Sequence, residues 1–130
     1  ITYADASAIG DLGKVNVKSG DEYVELSPEA AAKTVEVSEK VGGMHENDMS
    51  LDINRAPEEA GAYPVVLVSY HIVCSTYKDQ QTVDLIKAYE SYVISEEGQK
   101  DAADSAHSAP LTETLRKDAQ KAVDSIAVAK

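Results

Sequence analysis

The sequence contains neither Phe nor Trp, and it has a single cysteine, Cys74. Its seven tyrosines are therefore the only aromatic residues. A tyrosine can pack its ring while its hydroxyl stays hydrated or hydrogen-bonded, so this composition predicts a modest core with a polar margin. One cysteine permits no internal disulfide, and it does not distinguish an intracellular protein from a secreted one.

Basic residues are also scarce: 12 Lys and Arg face 23 Asp and Glu, which gives a formal net charge of −11. Nucleic acids and anionic lipids both require patches of Lys and Arg, so this balance argues against either as a partner. No apolar run approaches the roughly eighteen residues that a membrane-spanning helix needs. A length of 130 residues with 43% hydrophobic content predicts one domain of ordinary size with a buried core.

The sequence has neither a phosphate-binding P-loop nor a G-x-G-x-x-G dinucleotide loop, so we expect no cofactor. His45-Glu46-Asn47-Asp48 offers oxygen and nitrogen ligands but lacks the spacing of a calcium-binding loop or an H-E-x-x-H helix. We interpret it as a solvated loop. His107 falls in a turn without support for a ligand role. The acids at positions 96, 97, 101 and 104 predict a solvated helix face.

A thiol–imidazole pair of His71 and Cys74 is the first catalytic alternative, because a base is needed to form a thiolate. Three residues apart on a strand, however, they point to opposite faces. Ser69 and His71 do share a face, but the sequence places no acidic partner near them. We therefore predict no catalytic residues, and we do not expect an enzyme.

Residues 63–74, YPVVLVSYHIVC, form the most apolar stretch of the chain. Pro64 can begin a strand but has no N–H for the middle of a ladder. Residues 65–73 are then β-branched, aliphatic or aromatic almost without interruption, a pattern typical of a strand covered on both faces in a parallel or mixed sheet. Other strand candidates are short. The sequence thus predicts an α/β protein with one central strand and few sheet neighbours.

Local signals predict the other elements. Residues 15–26 alternate around Ser-Gly-Asp, as in a β-hairpin, and Ser27-Pro28-Glu29 starts a helix that we extend to about Val41, before Gly42-Gly43. We also expect a short strand over residues 1–3, a helix over residues 6–12 and a short strand over residues 50–53. The remaining predicted helices follow Asp79, span about residues 96–103 and begin near Thr112, the last with an apolar stripe of Leu115, Ala119, Ala122, Val123 and Ile126.

Three ordered segments resemble the PstS family, the phosphate-binding proteins of phosphate ABC transporters. Residues 61–66 (GAYPVV), followed by residues 69–73 (SYHIV) and a helix after Lys78-Asp79, resemble the family's returning segment. Residues 1–6 (ITYADA) are similar to an earlier strand–helix unit. Residues 108–111 (SAPL), before a final helix, are similar to its C-terminal segment. The resemblance covers nearly the whole chain.

This resemblance implies the C-terminal portion of a two-lobe, periplasmic-binding-protein-like fold with a mixed sheet and flanking helices. Residues 1–60 would end the second lobe, residues 61–77 would form the return crossing strand, and residues 78–130 would be C-terminal helices of the first lobe. Neither lobe would be complete, and we expect a chain truncated at its front and complete at its back. The parent protein would lie in the periplasm or on the outer face of the cell membrane, lipid-anchored through a segment before residue 1.

By the same resemblance, the parent would bind inorganic phosphate and work with the permease subunits of an ABC importer. The family's phosphate ligands include an Arg followed by Ser-Gly-Thr, and neither Arg55 nor Arg116 has that context. We therefore carry over no phosphate-binding residue. We expect order to require contacts with the rest of the parent, with another polypeptide or between exchanged copies. The alternative function is a stand-alone acidic interaction module that uses the helical faces of residues 82–94 and 112–126.

Overall fold

The computed structural model describes residues 2–43 and 45–130, and in these ranges the protein is a mixed α/β fold with four α-helices and three two-stranded sheets. The fold class expected from the sequence is confirmed at this level. The helices are α1 (Pro28–Glu36), α2 (Gln80–Ile94), α3 (Glu96–Ala106) and α4 (Glu113–Asp124). The strands are β1 (Val17–Ser19), β2 (Glu22–Val24), β3 (Glu39–Lys40), β4 (Leu51–Asp52), β5 (Thr76–Tyr77) and β6 (Ala127–Val128).

The predicted hairpin forms between β1 and β2, with Ser19 opposite Glu22 across the turn. Gly20 has a φ of 57°, a conformation that favours glycine because a Cβ would be strained there. Val24 on β2 packs with Ala30 on α1 and with Tyr63, and these three form a small apolar core. The hairpin and α1 therefore together position the start of the apolar stretch identified in the sequence.

Helix α1 begins as predicted, because the Ser27 hydroxyl accepts a hydrogen bond from the Ala30 N–H at 3.1 Å. It ends at Glu36 rather than near Val41, so the predicted length is wrong. The Ser38 hydroxyl donates to the Thr34 carbonyl at 2.6 Å and accepts from the Asn54 N–H at 3.0 Å. The chain then enters β3, which pairs antiparallel with β4, and the short strand predicted at residues 50–53 is confirmed there.

The first residues differ from the prediction. Residue 1 lies outside the described residues, and Thr2 and Tyr3 are not in a strand. The helix expected over residues 6–12 is a single 3₁₀ turn at Ala6–Ala8, which Asp5 caps. Its side chains find no core to cover, since none of the turn is buried.

The last part of the chain is helical, and each helix begins at a polar cap: Asp79 for α2, Ser95 for α3 and Thr112 for α4. The predicted stripe is confirmed, because its four members on α4 are at least half-buried and Ile126, just beyond the end of the helix, is buried. Helix α4 packs on α2, where Val83 and Ile94 are buried. Strand β5, which precedes the three helices in the sequence, pairs in parallel with β6, which follows them.

Two polar contacts connect β3 and the loop that follows it to the middle of α4 and to Ser125. The Lys40 ammonium on β3 lies 2.8 Å from the Asp118 carboxylate on α4, and the Asn47 amide donates to the Ser125 hydroxyl at 2.7 Å. The Lys40 hydrogen bond, together with one from Lys121, lowers the pKa of Asp118 below its ordinary value. Among the residues that the structure describes, no helix is both long enough and apolar enough to cross a membrane.

Candidate functional site

Residues 65–73 are the most unusual surface of the molecule, because an apolar segment lies in solvent without a strand partner. The segment contains no turn or bend, and each residue has a negative φ. Leu67 is 88% exposed and Ile72 is 95% exposed. Its backbone N–H groups make no hydrogen bond to any other described residue. The prediction of a central strand covered on both faces is therefore wrong for this chain by itself, since the described residues supply neither neighbouring strand.

Helix α1 and Arg55 hold the start of this segment. The Tyr63 N–H donates to the Ala30 carbonyl at 3.0 Å, and the Thr34 hydroxyl donates to the Tyr63 carbonyl at 2.7 Å. The Arg55 guanidinium donates to the carbonyls of Pro64 and Val66, at 2.9 and 2.8 Å. Thr34 is fully buried, so this clasp fixes the direction in which the apolar segment leaves α1.

The far end of the segment is fixed by His71. Its Nδ1 lies 2.9 Å from the carboxylate of Glu90 on α2, and its ring stacks on Tyr89 at a centroid distance of 6.1 Å. Glu90 is only 7% exposed, and a buried carboxylate needs such a partner because leaving it unpaired is costly. Sequence reasoning missed this pair. The signal that was present is Glu90 itself, an acid on the α2 face that also carries the buried Val83 and Ile94.

The arrangement does not build a catalytic group from the predicted candidates. Ser69 is exposed and makes no hydrogen bond to His71 among the described residues. The fold does bring an acidic partner, Glu90, to His71, which the sequence alone did not predict. Cys74 is exposed, and only its backbone N–H makes a hydrogen bond among the described residues, to the Tyr77 hydroxyl at 3.0 Å. No nucleophile is therefore hydrogen-bonded to a base in this group.

An exposed stripe on α2 lies beside the segment. Leu85, Tyr89 and Tyr92 follow each other at helical spacing and all face solvent, whereas Ile86 and Val93 are half-buried. The apolar residues of α2 are thus divided between a packed side and a solvent side. The Tyr92 hydroxyl donates to the Asp101 carboxylate at 2.5 Å, which raises the pKa of Tyr92.

The remaining candidates do not form an anion or metal site within the described ranges. No group of three or more metal-ligating side chains occurs there, and Asp48 of the predicted solvated loop instead accepts hydrogen bonds from Ser50. The Arg116 guanidinium is paired with Glu96 at 2.8 Å, as Arg55 is with its two carbonyls. His107 ends α3 in a left-handed conformation.

Comparison with known proteins gives relatives of one kind. The chain is 31% identical over 132 aligned positions to "Phosphate-binding protein PstS2" of Mycobacterium bovis and to its counterpart in Mycobacterium tuberculosis, covering 97% of this chain and 35% of each relative. It is 29% identical to "Phosphate-binding protein PstS 3" of Mycobacterium leprae, covering 90% of this chain and 31% of that relative.

No family model matches the chain, and no solved structure matches it at a significant level. The chain spans about a third of the length of the curated relatives it matches. At this low identity, the chain is similar to phosphate-binding proteins of the PstS type.

Proposed function

We propose that this chain is a C-terminal part of the phosphate-binding component of an ABC importer, a protein of the PstS type. The observation that carries the proposal is similarity along 97% of the chain to phosphate-binding proteins of which it matches only 35%. In the complete protein, residues 1–60 would end the second lobe, residues 61–77 would cross back, and residues 78–130 would complete the first lobe. Its partners would be phosphate and the importer's permease subunits, outside the cell membrane.

The unpaired segment supports this assignment. A strand of the composition of residues 65–73 is stable when its backbone groups are paired and its side chains are covered. Here both requirements are unmet within the described chain. The hydrogen bonds of Tyr63 and His71 nevertheless fix both ends of the segment, so that its backbone stays extended and accessible. A larger sheet, provided by the rest of a longer polypeptide, would meet them.

We further propose that the phosphate ligands lie outside residues 1–130. Phosphate is usually held by an arginine and by free N–H groups at helix N-termini. Both arginines already donate to protein oxygens, and each α-helix N-terminus is occupied by its own capping side chain. Helices α1, α3 and α4 also carry Glu in their first turns, and α2 is capped by the negative charge of Asp79, so these termini repel an anion.

Isothermal titration with phosphate tests the proposal on two proteins: the 130-residue chain and the longest polypeptide that contains it in its natural reading frame. We expect the longer polypeptide to bind one phosphate with competition by arsenate, and the 130-residue chain to give no heat. A folded longer polypeptide without phosphate binding would refute the assignment. Stoichiometric binding by the 130-residue chain would refute only the placement of the ligands.

The second candidate function is an acidic protein-interaction module, and the solvent-exposed stripe of Leu85, Tyr89 and Tyr92 favours it. The reading frame separates the two functions. Upstream sequence containing an R-x-x-x-S-G-T segment and a lipid-attachment cysteine supports the transport protein. A start codon directly before residue 1 supports the module.

A further inference from the structure

Two neighbouring residues of the apolar segment are bound to different parts of the molecule. The Tyr70 hydroxyl accepts a hydrogen bond from the Leu51 N–H on β4 at 3.0 Å, whereas His71 is bonded to Glu90 on α2. Before Tyr70, the clasp at Tyr63 ties the segment to α1, and after His71 the chain enters β5 and the three helices that follow. The Tyr70–His71 junction therefore separates two parts of the chain.

Each part has a buried apolar cluster of its own. In the N-terminal part, residues 1–70, this is the small core around Tyr63. In the C-terminal part, residues 71–130, α2 packs on α3 and α4, and the buried side chains are Val83, Ile94, Val123 and Ile126. Among the described residues, close packing between the two parts involves only the turn at Ala6–Ala8 and α3. Parts with separate cores and little shared packing are expected to move relative to each other.

Two polar contacts also bridge the parts. Both oxygens of the Asp118 carboxylate are used: one lies 2.8 Å from the Lys40 ammonium, and the other lies 3.2 Å from the Lys121 ammonium of α4 itself. Just beyond the end of α4, the Ser125 hydroxyl donates to a carbonyl of the helix, and its oxygen accepts from the Asn47 amide. Each acceptor is thus oriented by the C-terminal part, and each bridging donor comes from the N-terminal part.

The charges of the two parts give the Lys40 contact its importance. The N-terminal part has 13 Asp and Glu against 5 Lys and Arg, and the C-terminal part has 10 against 7. Both parts are therefore negative and repel each other overall. The Lys40 ammonium brings a positive charge from the more acidic part to a carboxylate of the other part, so it opposes the repulsion at this place.

We propose that Lys40 and Asn47 form a latch on α4, which holds the two parts in the orientation of this structure, and that the parts rotate about the Tyr70–His71 junction when the latch opens. The latch is a property of this chain and holds whether or not a longer polypeptide binds phosphate. In the complete protein proposed above, the two parts fall largely in different lobes, so the latch would also influence how the lobes are oriented. That consequence alone rests on the proposed function.

Pulsed electron spin resonance on the 130-residue chain measures the distance between the parts. Spin labels are attached at Glu29→Cys on α1 and Ala88→Cys on α2, both exposed positions, in a Cys74→Ser background. With the latch intact, we expect one main distance. Lys40→Gln is expected to raise the ratio of separated to latched molecules about two- to fivefold, the usual contribution of a partly exposed ion pair. Asn47→Ala is expected to raise it about two- to tenfold, and the double variant to combine both effects.

Lys121→Gln is the matched control. It removes the same charge from beside the same carboxylate, but the contact that it loses lies within α4. We expect it to leave the distance between the parts unchanged. Lys40→Glu is expected to separate the parts more than Lys40→Gln does, because it repels Asp118. Adding Asp118→Lys to Lys40→Glu is expected to restore the latch with its charges exchanged.

A second pair of labels distinguishes rotation from unfolding. Ala88→Cys and Ser105→Cys both lie in the C-terminal part, so we expect their distance to stay constant in every variant. A change within this pair would mean that the variants unfold instead of rotating, and it would overturn the proposal. Equal effects of Lys40→Gln and Lys121→Gln, an unchanged distance in the double variant, or a starting chain without one main distance between the parts would overturn it as well. None of these results involves phosphate, so each proposal can fail without the other.

Discussion

Replacing Thr34 by Val is the most direct test of how α1 controls the apolar segment. The side chain is fully buried, and its hydroxyl donates to the Tyr63 carbonyl at 2.7 Å. Valine has nearly the same shape but cannot donate, so the Tyr63 carbonyl loses its hydrogen-bond partner while it stays out of water. The N–H of the same residue is bonded to Ala30, so we expect both halves of the clasp to open together.

The magnitude follows from the burial of the bond. Leaving a buried acceptor without its donor costs about 1–3 kcal/mol. That free energy multiplies the population of the open clasp by roughly 5 to 150, since each 1.4 kcal/mol is a factor of ten. Hydrogen–deuterium exchange of the Tyr63 amide reads this population directly, and it does so even if the whole chain melts without a sharp transition. Amides of α4 serve as an internal reference.

Two further variants make the measurement decisive. Thr34→Ser keeps the hydroxyl, so we expect faster exchange than in the wild type but slower exchange than in the valine variant. Thr114→Val makes the same chemical change at an exposed position of α4, where no side-chain hydrogen bond is recorded among the described residues. It is expected to leave the Tyr63 amide unchanged. If Thr34→Val also leaves that amide unchanged, the clasp does not hold the segment.

The remaining predictions concern the packing of α3 and the polar contact between β3 and α4. Gly98→Ala is expected to destabilise the chain by roughly 1–3 kcal/mol in urea unfolding, because the added methyl would overlap the Tyr92 carbonyl oxygen, whereas Gly13→Ala meets only open space. An equal effect of the two alanines would contradict this steric argument. Asp118 is expected to titrate by NMR below the ordinary aspartate pKa of about 3.9, so its contribution to stability is present above that value and is lost as the pH falls through the lower folded pKa. Lys40→Gln is expected to move the titration of Asp118 upward, and an unmoved titration would exclude Lys40 as the main cause.

Elements with a strong local signal could be predicted from the sequence. The hairpin turn, the Ser27-Pro28 helix start and the helix after Asp79 each depend on side chains that satisfy neighbouring backbone groups. Such signals act within a few residues, so they hold whatever the rest of the molecule does.

The predicted elements that the structure contradicts depend on residues distant in the sequence. The composition of residues 65–73 indicates a strand correctly as a preference, but a ladder also needs neighbours, and the described chain has none to offer there. The end of α1 was misplaced because Ser38 contacts Asn54, and because β3 pairs with β4, contacts that no local pattern contains. The helix predicted at residues 6–12 lacked a core against which to pack, and short helices are marginal without one.

The candidate site also combines features that the sequence predicts with contacts that only the fold brings together. The apolar segment can be located from the sequence, and His71 within it is one of the candidate residues that the sequence offers. The hydrogen bond from His71 to Glu90 joins residues 19 positions apart in different elements, so only the fold reveals it. Strand alternation places Ser69 and His71 on one face but predicts no partner for the imidazole, and in the structure that partner is the Glu90 carboxylate.

The parallel pairing of β5 with β6 has a consequence for how the chain folds. It joins Thr76 to Ala127 and so closes a loop of about fifty residues that contains α2, α3 and α4. Closing a flexible loop of that length costs on the order of 3–4 kcal/mol of chain entropy, which two short strands alone would hardly offset. The helices must therefore collapse against one another before or while the strands meet. Strand β6 then closes the three-helix unit, and a variant that ends before residue 127 is expected to form its helices without fixing how they pack on one another.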